Sequence, residues 1–217
     1  MMGRPDGLPA PAVPLSQSPV VPYSGRMNET TEDTALMLRY RDGDVQAFEV
    51  LYWRHNAALY RYLLRLCMNR DAAEDIYQEV WKKLIASRGR YQATAKFNTF
   101  LYRVAHNTFI DHARRNKRYS SAEAYDPDIN IHGADEPDIA AEKILLRRRL
   151  DQALARLPDE QRDAFLLHEE GGLGLDAIAL VTGVTRETAK SRLRYANKKL
   201  KTALTEPVGP GPDSEQA

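Results

Sequence analysis

Arg186, Lys190 and Arg194 recur at four-residue steps within TGVTRETAKSRLRYANKKL, residues 182–200, so one arc of a helix carries three cations. Guanidinium and ammonium groups donate to phosphate oxygens and to base edges, and Thr185, Glu187 and Ser191 add short polar groups beside them. The other side of the stretch has Ala189, Leu193, Ala196 and Leu200 at steps of four and three, which is a narrow apolar stripe. Thr185 is placed to cap this helix and Gly183 supplies a turn just before it. The preceding LDAIALV has the composition of a short apolar helix. Two short helices joined by a glycine turn, the second cationic on its outer face, match the helix-turn-helix, whose second helix enters the DNA major groove. A solvated charged face is the bland alternative. A membrane-surface helix needs a broader and bulkier apolar face than two alanines in four stripe positions provide.

FNTFLYRVAHNTFIDHARRNKR, residues 97–118, combines different groups. Leu101, Val104 and Ala105 are spaced to meet a core, while Phe100, Arg103, Asn107 and Arg114 share another side. An aromatic ring beside cations and a side-chain amide suits unpaired bases, which stack on the ring and hydrogen-bond the amide. Arg114, Arg115, Lys117 and Arg118 form a cluster suited to a phosphate backbone. The competing reading makes Phe97, Phe100 and Phe109 all core residues and the basic end a favourable partner of the helix dipole.

Catalysis has little to rest on. His106 and His112 stand six residues apart on a helix, and His168 has no second histidine four residues on. No glycine loop has the form of a phosphate cradle, and no serine or cysteine has the context of a nucleophile. Cys67 is the sole cysteine and falls in an apolar helical run, so a buried small hydrophobe is expected there. A non-enzymatic protein without metal or cofactor is the reading.

The elements that must hold these groups are helical. The chain has 217 residues, 43% hydrophobic content and a net charge of only +1. That charge is unevenly spread, since residues 119–142 contain seven acids and no Lys or Arg between basic stretches, as expected for a chain with a polyanion partner. Residues 1–30 are Pro-rich and read as a disordered leader without the continuous apolar run of a secretory signal. From Thr31, TALMLRYRDGD and then Phe48, Leu51, Leu59, Tyr62, Leu63 and Leu66 repeat at helical steps. DAAEDIYQEVWKKLIA follows, with Asp71 in position to cap it. These observations divide the chain into a helical block at 31–118, an acidic linker at 119–137, a second helical block at 138–204 and a loose tail at 205–217. The expected class is all-α, two small helical domains on a flexible tether. No apolar run reaches the roughly 20 residues needed to span a bilayer, and a cytoplasmic protein is expected.

Taken in order, the parts closely resemble the bacterial sigma factors of the extracytoplasmic-function group, which retain regions two and four. The resemblance covers residues 31–204. RDGDVQAFEVLYWRH is similar to the start of region two, DAAEDIYQEVWKKL to the polymerase-docking helix, and FNTFLYRVAHNTFIDHARRNKR to the helix for the minus-ten promoter element. ALARLPDEQRDAFLLHEEGGLGLDAIALVTGVTRETAKSRLRYANKKL is similar to region four, which reads the minus-thirty-five element. Two stretches depart from the family pattern: RYQATAKF has no Gly-Asp pair, and GGLGLDAIAL replaces the frequent Leu-Ser-Tyr-Glu-Glu-Ile-Ala.

The resemblance implies an activity without bond chemistry: binding core RNA polymerase, directing it to promoters and nucleating DNA melting. It implies that Glu74, Asp75, Gln78, Glu79 and Trp81 meet the large polymerase subunits, an acidic rim around an apolar anchor. Asn107 matches the position that helps hold a flipped-out base, with Tyr91 and Val104 as pocket walls, and capture of that base offsets the cost of unstacking it. The linker acids are expected to imitate nucleic acid inside a basic polymerase channel. An anti-sigma protein is a further expected partner. The rival reading is a free-standing helix-turn-helix regulator, from which the acidic docking helix distinguishes this chain.

Overall fold

The computed structural model describes residues 32–116 and 141–205. The Pro-rich leader, the acidic linker, the C-terminal tail, Lys117 and Arg118 lie outside the described residues. Eight α-helices, and no strand, occur among the described residues.

Helix α1 (Asp33–Arg41) and helix α2 (Val45–Cys67) are joined by a tight turn in which Gly43 adopts φ 111°. Only glycine takes that conformation without a Cβ penalty. Asp44 caps α2 by accepting the Ala47 N–H at 3.2 Å, and Arg39 clamps the same carboxylate at 2.6 Å. Asp33 ties the two helices together, accepting from Arg54 Nη1 and lying against His55 Nε2, both at 2.8 Å. The hydrogen bond from His55 holds the Asp33 carboxyl below its ordinary pKa; burial opposes this and Arg54 reinforces it.

A left-handed Met68 (φ 51°) ends α2, and Asn69 opens helix α3 (Arg70–Ser87) by accepting the Ala72 N–H at 2.8 Å. The cap is thus Asn69 rather than Asp71, which sits in the first turn where its charge favours the positive helix end. The short turn folds α2 and α3 into an antiparallel hairpin. Tyr60 meets Glu74 at one end, and Tyr52 meets Tyr77 and Trp81 further along.

The apolar repeat expected along α2 is buried at Leu51, Leu59, Tyr62, Leu63 and Leu66. Phe48 instead is only half-buried, its ring 4.7 Å from Tyr40 and 5.9 Å from Trp81. A 3-10 turn, Arg88–Arg90, leads from α3 to helix α4 (Phe97–Asn116), which buries Phe97, Leu101, Tyr102 and Ala105. Each fully buried Leu or Phe contributes roughly 1.5–3 kcal/mol, so the core rather than helix propensity holds these segments.

Cys67 lies on α2 where burial pushes its thiol up to about 12. At about pH 8 the native thiolate fraction is therefore on the order of a thousandfold below that of a free cysteine. Cys67 is half-buried, so a disulfide-exchange reagent should label it far more slowly in the native chain than after denaturant is added, and equal rates would contradict the raised thiol.

The second half contains helix α5 (Ala141–Ala155), helix α6 (Asp159–Glu169), helix α7 (Leu175–Thr182) and helix α8 (Arg186–Thr205). Leu154, Leu157, Ala164, Leu167, Ile178, Val181, Ala189, Ala196 and Leu200 close its core. The halves pack together, α6 against α2 and α7 against α4, and their buried residues form one continuous core. No described helix is long and apolar enough to cross a membrane.

Candidate nucleic-acid and protein interfaces

Three outward surfaces carry the polar groups singled out above. The first is the outer side of α3, where the acidic residues follow from 3.6-residue periodicity: Ala73, Ile76, Tyr77, Val80, Trp81 and Leu84 fill the inner face. Asp75 and Gln78 are exposed. Glu74 is half-buried, receiving Arg70 Nε at 3.0 Å and the Tyr60 hydroxyl at 3.3 Å. Glu79 pairs with Lys83 at 2.9 Å and with Arg115 of α4 at 3.3 Å. Lys83 chiefly, and then Arg115, hold the Glu79 carboxyl below its ordinary pKa, with burial opposing them.

Trp81 is not the protruding anchor expected of it. It is 6% exposed and enclosed by Phe48, Tyr52 and Tyr77, because its i+3 and i−4 neighbours Leu84 and Tyr77 belong to the buried stripe. The exposed indole nearby is Trp53, 57% accessible and packed edge-on against Tyr52 at 5.5 Å. Sequence reasoning missed it, although a signal existed: Trp53 falls off the apolar repeat of α2, and a large aromatic outside a core stripe is a candidate contact residue.

The second surface is a groove of about 440 Å³ between the loop after the 3-10 turn and the start of α4. Tyr91, Thr99, Phe100 and Arg103 line it, with Arg90 at its edge. Tyr91 is buried and its ring meets Phe100 edge-on at 5.1 Å, so the two rings form one aromatic wall beside an exposed guanidinium. Burial also keeps the Tyr91 phenol above its ordinary pKa. Tyr91, anticipated as a wall of a base pocket, lines this groove. Val104 and Asn107 were expected to complete that pocket, but they stand one turn further along α4 and do not line the groove. Asn107 is exposed and Val104 half-buried, so both sit on the continuation of the same face. Phe97 is a core residue while Phe100 and Phe109 are only partly buried, which divides the aromatic residues between the two readings of this helix. Arg114 is exposed, and Arg115 is held on the Glu79 side.

The third surface is α7–α8. Gly183 ends α7 in the left-handed conformation (φ 68°), and the Thr185 hydroxyl accepts the Thr188 N–H at 3.2 Å to start α8. Arg186, Glu187, Lys190 and Arg194 are exposed and Ser191 is half-exposed. Arg186 pairs with Asp176 at 3.0 Å, and Glu187 lies 3.8 Å from Lys190. The Arg194 guanidinium lies 5.0 Å from the centre of the Tyr195 ring. Ala189, Ala196 and Leu200 are buried as the stripe requires, with Leu193 at its edge. Arg192 turns to Glu160 of α6 at 2.6 Å.

Comparison with known proteins adds three kinds of finding. The Sigma-70 region 2 family matches residues 51–119 and the Sigma-70, region 4 family matches residues 147–200. The RNA polymerase sigma factor CarQ of Myxococcus xanthus is 33% identical over 170 residues, spanning 78% of this chain and 96% of the relative. The ECF RNA polymerase sigma factor SigM of Mycobacterium tuberculosis is 27% identical over 191 residues, spanning 88% and 93%. Among solved structures, the sigma factor RpoE of Bartonella quintana, crystallised with the anti-sigma factor NepR, has a similar fold with a TM-score of 0.57 at 22% identity, covering 72% of this chain and 96% of that one.

Proposed function

This chain belongs to the RNA polymerase sigma factors of the extracytoplasmic-function group, and from that premise we propose how its three surfaces divide the work. The protein binds core RNA polymerase, directs it to promoters and performs no bond chemistry. Residues 31–118 act as region two and residues 138–204 as region four.

Asp75, Gln78 and the rim acids Glu74 and Glu79 meet the polymerase clamp, with Trp53 taking the part of apolar anchor that Trp81, being buried, does not offer. Acids around an exposed indole favour a basic protein surface and repel DNA. The Tyr91–Phe100–Arg103 groove takes an unstacked base of the minus-ten element, and Asn107 and Arg114 hold the strand beyond it. Arg186, Lys190, Ser191 and Arg194 reach the minus-thirty-five major groove from α8. A cytoplasmic location and an anti-sigma partner complete the proposal; the similar RpoE was captured with such a protein.

The observation that carries this reading is the segregation of chemistry: acids on α3, aromatic and cationic groups on α4, and a cationic arc on α8, each facing outward. Transcription from purified core polymerase tests it. Adding the chain alone should produce promoter-specific transcripts and permanganate-reactive bases near the start site. Transcripts that require another sigma factor would place the chain among free-standing regulators.

A further inference from the structure

One apolar stripe of the first half is left open by the described residues. Helix α2 turns Leu51, Leu59, Tyr62, Leu63 and Leu66 inward, yet Val45, Glu49, Trp53 and Ala57, at four-residue steps on the opposite side, are exposed. Val45 is 45% and Trp53 57% accessible. The Trp53 and Tyr52 rings meet at 79° with their centres 5.5 Å apart, so their faces form an open aromatic corner. Such a stripe marks a contact surface when a segment of matching chemistry is at hand.

The Pro-rich leader supplies that chemistry. PAVP at residues 11–14 and PVVP at residues 19–22 repeat proline at a spacing of three, which places each pair on one edge of a polyproline II helix. Segments of this form dock on exposed aromatic rings because they arrive already extended and lose little conformational entropy. Pro19 and Pro22 stand about 9 Å apart in that conformation, a span close to the about 12 Å that separates Val45 from Trp53 along α2. Arg26 is the one cation between Pro5 and Thr31, and Glu49, between Val45 and Trp53, is its acidic counterpart.

The described chain begins beside this patch. Asp33 accepts from Arg54 Nη1 at 2.8 Å, which fixes the start of α1 on the residue next to Trp53. Residues 22–32 extend to at most about 33 Å, against a helix diameter of about 11 Å, so PVVP reaches Trp53 with slack. A tether of this length holds its end at roughly millimolar effective concentration, so a contact with a Kd of only about 0.1 mM fills the patch in about nine molecules of ten. We propose that residues 19–26 dock on the Val45–Trp53 stripe of α2 in the free chain. Core polymerase then has to displace them, a consequence that rests on the assignment of Trp53 to the clamp surface.

Trp53 and Trp81 are the only tryptophans and Trp81 is 6% exposed, so quenching of tryptophan fluorescence by acrylamide reads Trp53. The accessible fraction of Trp53 emission should rise from about one tenth in the full chain to nearly all in a chain that starts at Met27. Pro19→Gly with Pro22→Gly, in the full chain and outside its folded part, should raise it to a comparable extent. A peptide of residues 14–26 at about 1 mM should restore protection to the shortened chain. Core polymerase should bind the shortened chain about tenfold more tightly, since a docked fraction lowers apparent affinity. Equal accessibility in the full and shortened chains overturns the proposal, as does a glycine pair that leaves protection intact. Protection that grows with chain concentration assigns the patch to a second copy and also overturns it. Raised accessibility with unchanged core affinity leaves the docked segment standing and removes Trp53 from the clamp surface instead.

Discussion

Asp75→Lys should weaken association with core RNA polymerase by at least about 2 kcal/mol, roughly thirtyfold, the scale of a charge contact reversed at a desolvated interface. Asp75 is exposed on α3 beside Gln78, while the flanking acids already engage neighbours: Glu74 with Arg70 and Tyr60, Glu79 with Lys83 and Arg115. The unshared part of the acidic rim is thus where a basic partner gains most. Because the side chain contributes nothing to the core, thermal unfolding should be unchanged within about 0.5 kcal/mol. Equilibrium binding to core enzyme checks the first statement and calorimetry the second. Wild-type affinity in the reversed variant would remove α3 from the docking surface.

Arg194→Glu should reduce binding of the reconstituted polymerase to a minus-thirty-five duplex by at least about 2 kcal/mol, again roughly thirtyfold, and leave core association intact. Arg194 is exposed at the C-terminal end of the cationic arc, one turn beyond Lys190 and on the far side of α8 from Ala189 and Ala196. Its guanidinium rests near Tyr195, a contact that restricts the side chain before DNA arrives and so lowers the entropy lost on binding. The salt dependence distinguishes its two possible contacts. Loss of a phosphate contact lowers the slope by about one, whereas loss of a base contact also relaxes sequence preference at one position. Unchanged promoter affinity would mean that α8 does not read DNA through this residue.

Neither effect could have been ranked from the sequence alone, since the resemblance gave the four rim residues of α3 and their anchor Trp81 equal standing. Burial separated them. Trp81 was grouped with the acids because it shares their helix, yet it belongs to the inner stripe with Tyr77 and Leu84, and Phe48 and Tyr52 from α2 close over it. Trp53 went unnoticed for the complementary reason: its importance comes from being left outside a core whose other residues had to be placed first.

The sequence by itself determined the local elements and the chemistry of each outer face. Helical periodicity depends on residues three and four apart, and capping and turn chemistry on residues still closer, so the helices, the Gly183 turn and the Thr185 cap follow from short stretches. The tertiary structure alone decided what those faces meet. The Tyr91–Phe100–Arg103 groove is closed by Leu180, and Arg65 finds Asp151 and Glu170, across about eighty to a hundred intervening residues. Such pairings arise when whole helices choose partners to bury apolar surface together, and no periodicity within a single helix records that choice.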